Sequence, residues 1–200
     1  MRTLAAFVFP GFETLDYFGP MEFLGGFGKE TEIITVAKTR DPVPSVHGQR
    51  IVIDKTIAEK DDYDLLFIPG GDAALELAKD PETMDWLRTA TGNAERVMAV
   101  CTGTVLLGMT GALDGRKATT NKIDFADTIP LAPHVDWVKE ARWVEDGKFI
   151  TSSGVSAGMD MALGAIALMH DHETAEKVVI WSEYGWHKDW DPLAKPHGLV

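Results

Sequence analysis

Continuous apolar runs of strand length alternate with segments of helical periodicity along this chain. Such runs are typical of strands that are buried on both faces of a sheet. Strands are predicted over 3–9, 31–37, 49–57, 63–71 and 96–100. The third of these is predicted to be short and near a sheet edge. A hairpin is predicted over 142–154, with its tight turn at Asp146-Gly147.

Helical patterns fill most of the intervals between these strands. Helices are predicted over 20–27, 79–93, 104–113, 155–170 and 171–185, and 10–19 is predicted to be a turn-rich loop. The second helix has Asp80 as a cap, Pro81 at its first position and Gly92 as its stop. The helix over 155–170 is apolar nearly all round and is therefore predicted to be buried. Asp171 is predicted to cap the last helix.

This alternation predicts an α/β fold, a three-layer sandwich with a mainly parallel sheet covered by helices on both faces. The chain has 200 residues without a repeat or linker, which favours one domain over 1–200. Sites in such sheets form at the carboxyl ends of the strands. The loops to inspect are 10–19, 69–73, 101–103 and 152–156.

Composition narrows the classes of function. The net charge of −12 would repel a nucleic acid or an anionic membrane. A single cysteine excludes an intramolecular disulfide and suits a reducing cytoplasm. Pro10 and Gly11 break the first apolar run, and no run approaches the ~20 residues that span a bilayer. We therefore expect a cytoplasmic protein.

Cofactor motifs are absent from the sequence. It contains neither a Gly-x-Gly-x-x-Gly pattern nor a P-loop lysine, so no nucleotide cofactor is indicated. His170-Asp171-His172 lacks a spaced third ligand and is predicted to be a polar turn between helices rather than a metal site.

Cys101 lies where a predicted strand meets a predicted helix, in the segment Cys101-Thr102-Gly103. An isolated cysteine at the end of a strand is more often a small buried hydrophobe. This junction, however, resembles the sharp turn that presents the nucleophile in Gly-x-Ser-x-Gly enzymes. The N–H groups of the first helical turn would favour the thiolate, and the Thr102 N–H could serve as an oxyanion donor.

The strand over 63–71 ends in Pro69-Gly70-Gly71. By itself this is an ordinary tight turn, with Asp72 as a helix cap. If its strand lies beside that of Cys101, bare backbone would face the thiol, and the Gly71 N–H could be a second oxyanion donor.

Three carboxylates, Glu13, Asp16 and Glu22, lie in the segment after the first strand. Most such residues are solvated caps. A carboxyl group close to a thiolate would instead share its titration with the sulfur, or stay protonated and donate a hydrogen bond to it. Asp16 is the first candidate for this partner and Glu22 the second.

A competing nucleophile pattern occurs at residues 154–158, Gly-Val-Ser-Ala-Gly. It follows a predicted strand and precedes a predicted helix, as a hydrolase serine does. Two nucleophile turns in a chain of this length are improbable, and close helix packing explains Ser156 and Gly158 equally well.

Together these segments resemble the DJ-1/PfpI (ThiJ, class I glutamine-amidotransferase-like) superfamily, and within it most resemble the isonitrile hydratase branch and the sensor-like domains of some regulators. The matching stretches are FPGFETLDYFGPMEFL, DLLFIPGG, AVCTGTVLLGMTGALDGRKATTN and RWVEDGKFITSSGVSAGMDMAL. The resemblance implies a flavodoxin-like sandwich with a cysteine nucleophile elbow, a symmetric homodimer and no cofactor or metal.

The resemblance also assigns site residues. It makes Cys101 the nucleophile and Asp16 its acid–base partner. Substrate-binding and oxyanion roles fall on Gly70, Gly71, Thr102, Ser153, Gly154 and Val155. Glu22 and Asn121 are possible modulators. The tail carries Trp186 and Trp190, which we expect to pack over the domain or across a dimer interface.

Two positions depart from other branches of the superfamily. Peptidase members usually have His where this chain has Thr102, and DJ-1-like or glyoxalase-like members often have His where it has Asn121. A Cys-His triad would therefore lack its base. The regulator hypothesis is disfavoured in its usual form, because no DNA-binding module is expected after residue 200.

The favoured hypothesis is a cysteine hydratase that acts on a small electrophile. The best candidate for this substrate is an isonitrile, which the enzyme would convert to an N-substituted formamide. One alternative is a non-enzymatic redox or small-ligand sensor that works through a low-pKa Cys101. The other is glyoxalase or deglycase activity on methylglyoxal.

Overall fold

The computed structural model describes residues 1–26, 31–59 and 61–187. In these ranges the strands are β1 (Arg2–Phe7), β2 (Thr31–Ala37), β3 (Val43–Pro44), β4 (Arg50–Ile51), β5 (Lys55–Thr56), β6 (Leu65–Ile68), β7 (Arg96–Val100), β8 (Lys117–Ala118), β9 (Asp136–Trp137), β10 (Trp143–Asp146) and β11 (Phe149–Ser152). The α-helices there are α1 (Thr14–Gly26), α2 (Pro81–Asn93), α3 (Thr102–Met109), α4 (Phe125–Thr128), α5 (Ala157–Met169) and α6 (His172–Ser182). Shorter 3₁₀ segments cover Ile57–Glu59, Asp72–Lys79 and Ile129–Leu131.

The main sheet has the strand order β10-β11-β7-β6-β1-β2-β5. All its neighbouring strands run parallel except β10, which forms an antiparallel hairpin with β11. Helices flank this sheet, and α5 packs against both α1 and α6. The predicted fold class, a mainly parallel α/β sandwich, is confirmed.

The centre of the sheet is apolar because its strands are covered on both faces. Every residue of β6 is inaccessible to solvent, and β7 is buried from Val97 to Val100. Since β6 and β7 are parallel neighbours, Ile68 is opposite Ala99 in the register. The loop after Ile68 and the turn after Val100 therefore emerge side by side, so the condition for Gly70 and Cys101 to meet is fulfilled.

Several predicted boundaries are confirmed. β2 covers the predicted range 31–37, and the hairpin turns at Asp146-Gly147 as expected. Pro81 begins α2, which continues one residue beyond the predicted stop at Gly92. The Asp171 side chain caps α6 by accepting the Thr174 N–H at 2.7 Å, which also confirms a polar turn at 170–172.

The helix predicted over 20–27 is wrong at its beginning, and residue 27 lies outside the described residues. α1 begins at Thr14, so Asp16 lies in its first turn rather than in a loop. Pro20 suggested a helix start, but it lies inside α1, where packing against α5 outweighs the lost backbone hydrogen bond.

Three other elements differ in length from their predictions. The strand predicted over 49–57 is two short strands, of which β4 pairs with β3 while β5 forms an edge of the main sheet. α3 ends at Met109 rather than near residue 113, and α6 ends at Ser182 rather than at 185.

Candidate active site

Cys101 occupies a strained turn between β7 and α3. Its backbone has φ 57° and ψ −134°, a conformation that non-glycine residues rarely adopt and that often accompanies function. Two contacts hold the turn: the Cys101 N–H donates to the Ser152 carbonyl at 3.0 Å, and the Thr120 hydroxyl donates to the Cys101 carbonyl at 2.7 Å. The residue remains partly exposed, so the thiol stands in a nucleophile elbow and is not sealed into the core.

Asp16 reaches this turn from the first turn of α1. Its side chain is fully buried, and Oδ2 accepts the Gly70 N–H at 3.0 Å. The other oxygen, Oδ1, is buried and has no hydrogen-bond partner in the described part of the chain. Asp16 Oδ2 and Cys101 Cβ both border the space that a Cβ on Gly70 would occupy, so the two side chains meet beside this glycine. The carboxyl group expected from the sequence is thus within reach of the sulfur.

Burial dominates the electrostatics of this pair. Desolvation, reinforced by the charge of Glu13, raises the pKa of Asp16 from 3.8 to about 8 against the opposing Gly70 N–H. Burial and then Asp16 raise the pKa of Cys101 well above its ordinary value, although the Thr102 N–H and hydroxyl oppose them. The low-pKa thiol expected from the helix N-terminus is therefore wrong, because desolvation exceeds the effect of the helix N–H groups. At neutral pH the acid and the thiol are both protonated.

The two expected oxyanion donors, the N–H groups of Thr102 and Gly71, have different surroundings. The Thr102 N–H faces the Cys101 thiol, as predicted. The Gly71 N–H, in contrast, donates to Thr102 Oγ1 at 2.9 Å, and that hydroxyl in turn contacts the Gly71 carbonyl at 2.9 Å. The expectation of a free second donor at Gly71 is thus not met, because the side chain that follows the cysteine occupies it. The Gly70 N–H is likewise engaged, by Asp16.

The loop after β11 forms a wall beside the sulfur. A Cβ placed on Gly154 would stand 2.8 Å from Cys101 Sγ and 3.3 Å from Asn121 Cβ, so only glycine leaves this space open. The Ser153 N–H donates to the Arg142 carbonyl at 2.9 Å and serves the loop rather than the thiol. Val155 is exposed. Of this trio, Gly154 is the residue that contacts the site most closely.

Comparison with known proteins places this site in a family. Residues 2–168 match the DJ-1/PfpI family. The chain belongs to the DJ-1/PfpI family. It is 32% identical to the isonitrile hydratase of Pseudomonas putida over 196 residues, which are 96% of this chain and 84% of that protein.

Two further proteins are similar to this chain. The crystal structure of a ThiJ/PfpI family protein from Pseudomonas syringae has a TM-score of 0.84 at 34% identity and covers 93% of this chain and 76% of that one. The HTH-type transcriptional regulator CdhR of Pseudomonas aeruginosa is 33% identical over 140 residues, 68% of this chain but 40% of the regulator. The chain thus spans less than half of that relative.

Of the two remaining candidate site residues of this DJ-1/PfpI chain, one borders the site and the other is on the surface. Glu22 is exposed on α1, and the structure does not bring it to the thiol. Asn121 is buried beside Gly154, and its Oδ1 accepts the Asp124 N–H at 2.8 Å while its buried Nδ2 has no partner among the described residues. Asn121 therefore borders the site, and Glu22 does not.

Ser156 has no nucleophile geometry. Its backbone is in the ordinary helical region, at φ −73° and ψ −18°, and its hydroxyl accepts Arg142 Nη2 at 3.1 Å. A Cβ at Gly158 would lie 3.0 Å from Val100 and 3.1 Å from Pro20. Close packing of α5 against the sheet and α1 therefore explains the second pattern, as expected.

A buried carboxylate on α5, Asp160, was not predicted from the sequence. Asp160 accepts Arg142 Nε at 2.6 Å, the Tyr184 hydroxyl at 3.1 Å and the His187 N–H at 2.7 Å. Trp186 donates its indole N–H to the Asp160 carbonyl at 3.2 Å, so this tryptophan packs over the domain, whereas Trp190 lies outside the described residues. A single acid in an otherwise apolar helix was the available signal.

Gly70 is expected to be intolerant of any side chain. A Cβ there would lie 2.6 Å from Asp16 Oδ2, 2.7 Å from Cys101 Cβ and 2.9 Å from the Thr102 nitrogen. Gly70→Ala should therefore separate the acid from the thiol and lower stability by roughly 1–3 kcal/mol. It should also speed alkylation of Cys101 by iodoacetamide, because Asp16 is one of the groups that raise the pKa of this thiol. Urea denaturation and the alkylation rate measure these effects.

The matched control is Gly92→Ala on α2, where an added Cβ meets nothing within 4 Å. This change should leave the alkylation rate unaltered and stabilise the protein by about 0.5–1 kcal/mol, because alanine is the better helix former. Equal alkylation rates for the two variants would refute the close approach at Gly70.

Proposed function

We propose that this protein is a cysteine-dependent hydratase that converts isonitriles to N-substituted formamides. The observation that carries the proposal is that the buried Asp16 carboxyl group, whose pKa is raised, lies next to the Cys101 side chain beside Gly70. Addition to an isonitrile needs a nucleophile and an acid of this kind rather than a histidine base. The similarity to the Pseudomonas putida isonitrile hydratase supports the same substrate class.

The pair can carry the reaction with all atoms balanced. Asp16 donates its proton to the terminal carbon of the isonitrile and takes up the thiol proton as Sγ bonds to that carbon, which gives a thioimidate. Water then adds to the same carbon and supplies one proton to the nitrogen and one to the departing sulfur as the C–S bond breaks, which releases the formamide and the Cys101 thiol. Asp16 ends each cycle as a protonated acid, and no net proton or electron is consumed.

The assay uses the purified protein with an alkyl isonitrile and follows the formamide by chromatography. Formamide should appear at a rate at least 10²-fold above that of Cys101→Ala, since covalent catalysis depends on the sulfur. Cys101→Ala removes only Sγ and should keep the fold. Equal formamide formation by the two proteins would end the proposal.

Neither alternative function gains support from the site. A redox sensor requires a readily ionised thiol, whereas burial and Asp16 raise the pKa of Cys101. If mild peroxide nonetheless added 32 Da at Cys101 alone, a sensor would be favoured. Glyoxalase or deglycase activity would need a base where Thr102 and Asn121 stand, and Cys101-dependent lactate formation from methylglyoxal would restore that hypothesis.

We further propose that the protein is a cytoplasmic homodimer. Leu15 and Phe18 leave 39% and 42% of their surface exposed on α1, which suits a self-complementary interface. No helix among the described residues is long and apolar enough to cross a membrane. Sedimentation velocity at micromolar concentration tests the dimer, and a monomer would contradict it.

A further inference from the structure

A cavity of about 470 Å³, separate from the candidate active site, lies between α2 and residues 57–58 and 61–63, which precede β6. It does not include the residues that contact the Cys101 thiol. Its lining residues are Ile57, Ala58, Asp61, Asp62, Tyr63, Glu82, Asp85, Trp86, Thr89, Ala90 and Asn93. The volume is within the range of small-molecule sites.

Two aromatic residues form the floor of this cavity, and their polar atoms have no partner. Tyr63 and Trp86 are only 7% and 8% exposed. Neither the Tyr63 hydroxyl nor the Trp86 indole N–H makes a hydrogen bond within the described part of the chain, yet neither atom is sealed from solvent. Such groups usually find a partner when their rings are buried this far. Both residues line the cavity, and their polar atoms remain open to a partner from solvent.

Both rings are held in place by surrounding structure. The Trp86 ring packs against Phe7 with ring centroids 5.2 Å apart, which covers one part of the indole from the core side. Burial and then the charge of Asp61, which also lines the cavity, raise the pKa of Tyr63. The floor is thus a preformed aromatic surface rather than a collapsed one.

The walls of the cavity are acidic. Its lining includes four carboxylates and no lysine, arginine or histidine among the described residues. Asp61 pairs with Lys55 at 2.8 Å and Asp85 with Arg88 at 2.7 Å. The other two are less well neutralised.

Asp62 accepts a hydrogen bond from the uncharged Asn93 amide at 2.6 Å, and within the described ranges it has no ion pair. Glu82 is 3.6 Å from Lys38, and both side chains are at least half exposed. The cavity therefore combines an aromatic lining with negative charge that cations among the described residues do not fully balance. This combination attracts a cation and repels an anion.

We propose that this cavity binds a small organic cation that also carries a hydrogen-bond acceptor. The carboxylates and the aromatic rings attract the positive charge. The indole N–H of Trp86 can only donate, so it requires an acceptor atom on the ligand, and the Tyr63 hydroxyl can either donate or accept. This site is independent of the hydratase activity.

Choline is a suitable probe because it joins a quaternary ammonium to a hydroxyl oxygen, and 3,3-dimethyl-1-butanol is its uncharged isostere. Isothermal titration of the full chain should show choline binding about tenfold more tightly than the isostere, the size of a desolvated cation–π and carboxylate contribution. Equal affinities, or no binding of choline, would overturn the proposal.

Variants locate the binding. Tyr63→Phe removes one oxygen and Asp62→Asn removes one charge, and each should weaken choline binding roughly three- to tenfold while the protein stays folded. Cys101→Ala and the exposed Asp114→Asn should leave the affinity unchanged. Binding that is unaffected by Tyr63→Phe and Asp62→Asn, or that is lost in Cys101→Ala, would assign choline to another place and refute this site.

Discussion

Asp16→Asn should make the protein more resistant to urea at pH 8 than the wild type, while at pH 4 the two should be nearly equal. The folded protein holds the pKa of Asp16 at about 8, above the ordinary 3.8. Between these values the folded state binds a proton that the unfolded state has released, so wild-type stability falls as pH rises through this window. A tenfold change in proton affinity corresponds to about 1.4 kcal/mol, so the difference in the free energy of unfolding approaches about 5 kcal/mol as an upper bound.

The same variant should lose activity, which separates stability from function. Asparagine retains an acceptor for the Gly70 N–H but carries no transferable proton, and formamide formation should fall by roughly 10²–10⁴-fold. In the wild type, the rate should decline above about pH 8 as Asp16 ionises. Parallel pH profiles of stability for the two proteins would show that this carboxyl group is not protonated in the folded state.

Asp160→Ala should be among the most destabilising single changes in the described part of the chain. It leaves the Arg142 guanidinium, whose side chain is 8% exposed, without the carboxylate that it contacts at 2.6 Å. Breaking one side of a buried ion pair costs about 3–5 kcal/mol. The Tyr184 hydroxyl and the His187 N–H lose their acceptor at the same time. The free energy of unfolding in urea measures the effect.

Asp171→Ala is the comparison for this change. Asp171 caps α6 at the surface with a single hydrogen bond, whose loss costs about 1 kcal/mol. Adding Arg142→Met to Asp160→Ala should recover part of the loss, because the buried guanidinium is then removed together with the carboxylate that it contacts. If Asp160→Ala cost no more than Asp171→Ala, Asp160 would not be the centre of a buried network.

The predictions that depended on the pattern of apolar strands agree best with the structure. A strand over 96–100 that is apolar from Val97 onward and is followed by Cys101 and Gly103 predicts the elbow. Two parallel strands that end at the same edge then bring their loops together. Asp16 is the candidate partner of Cys101 solely because it lies in the segment after the first strand. The structure places Asp16 beside Gly70 and the Cys101 side chain, while its role as acid–base partner stays a prediction. Its place inside α1 depends on packing against α5, which a propensity argument does not include.

The electrostatics of the site depended on burial, which the sequence does not show. A helix N-terminus favours thiolate, yet the surrounding core raises the pKa of both Asp16 and Cys101. The bond between the Gly71 N–H and the Thr102 hydroxyl was equally inaccessible, because it depends on one side-chain rotamer. The network around Asp160 joins segments from three parts of the chain and had only a single acid as its signal.

The reciprocal contact between Thr102 and Gly71 has a consequence for which electrophiles this elbow suits. An ester or amide develops negative charge on oxygen when sulfur attacks, and that oxygen would have to displace a threonine side chain to gain a second backbone donor. When sulfur attacks an isonitrile, the negative charge develops on the terminal carbon, and Asp16 delivers its proton to that carbon. The reaction therefore does not need a second backbone donor. A main-chain amide that is already occupied thus discriminates against acyl transfer before any substrate arrives.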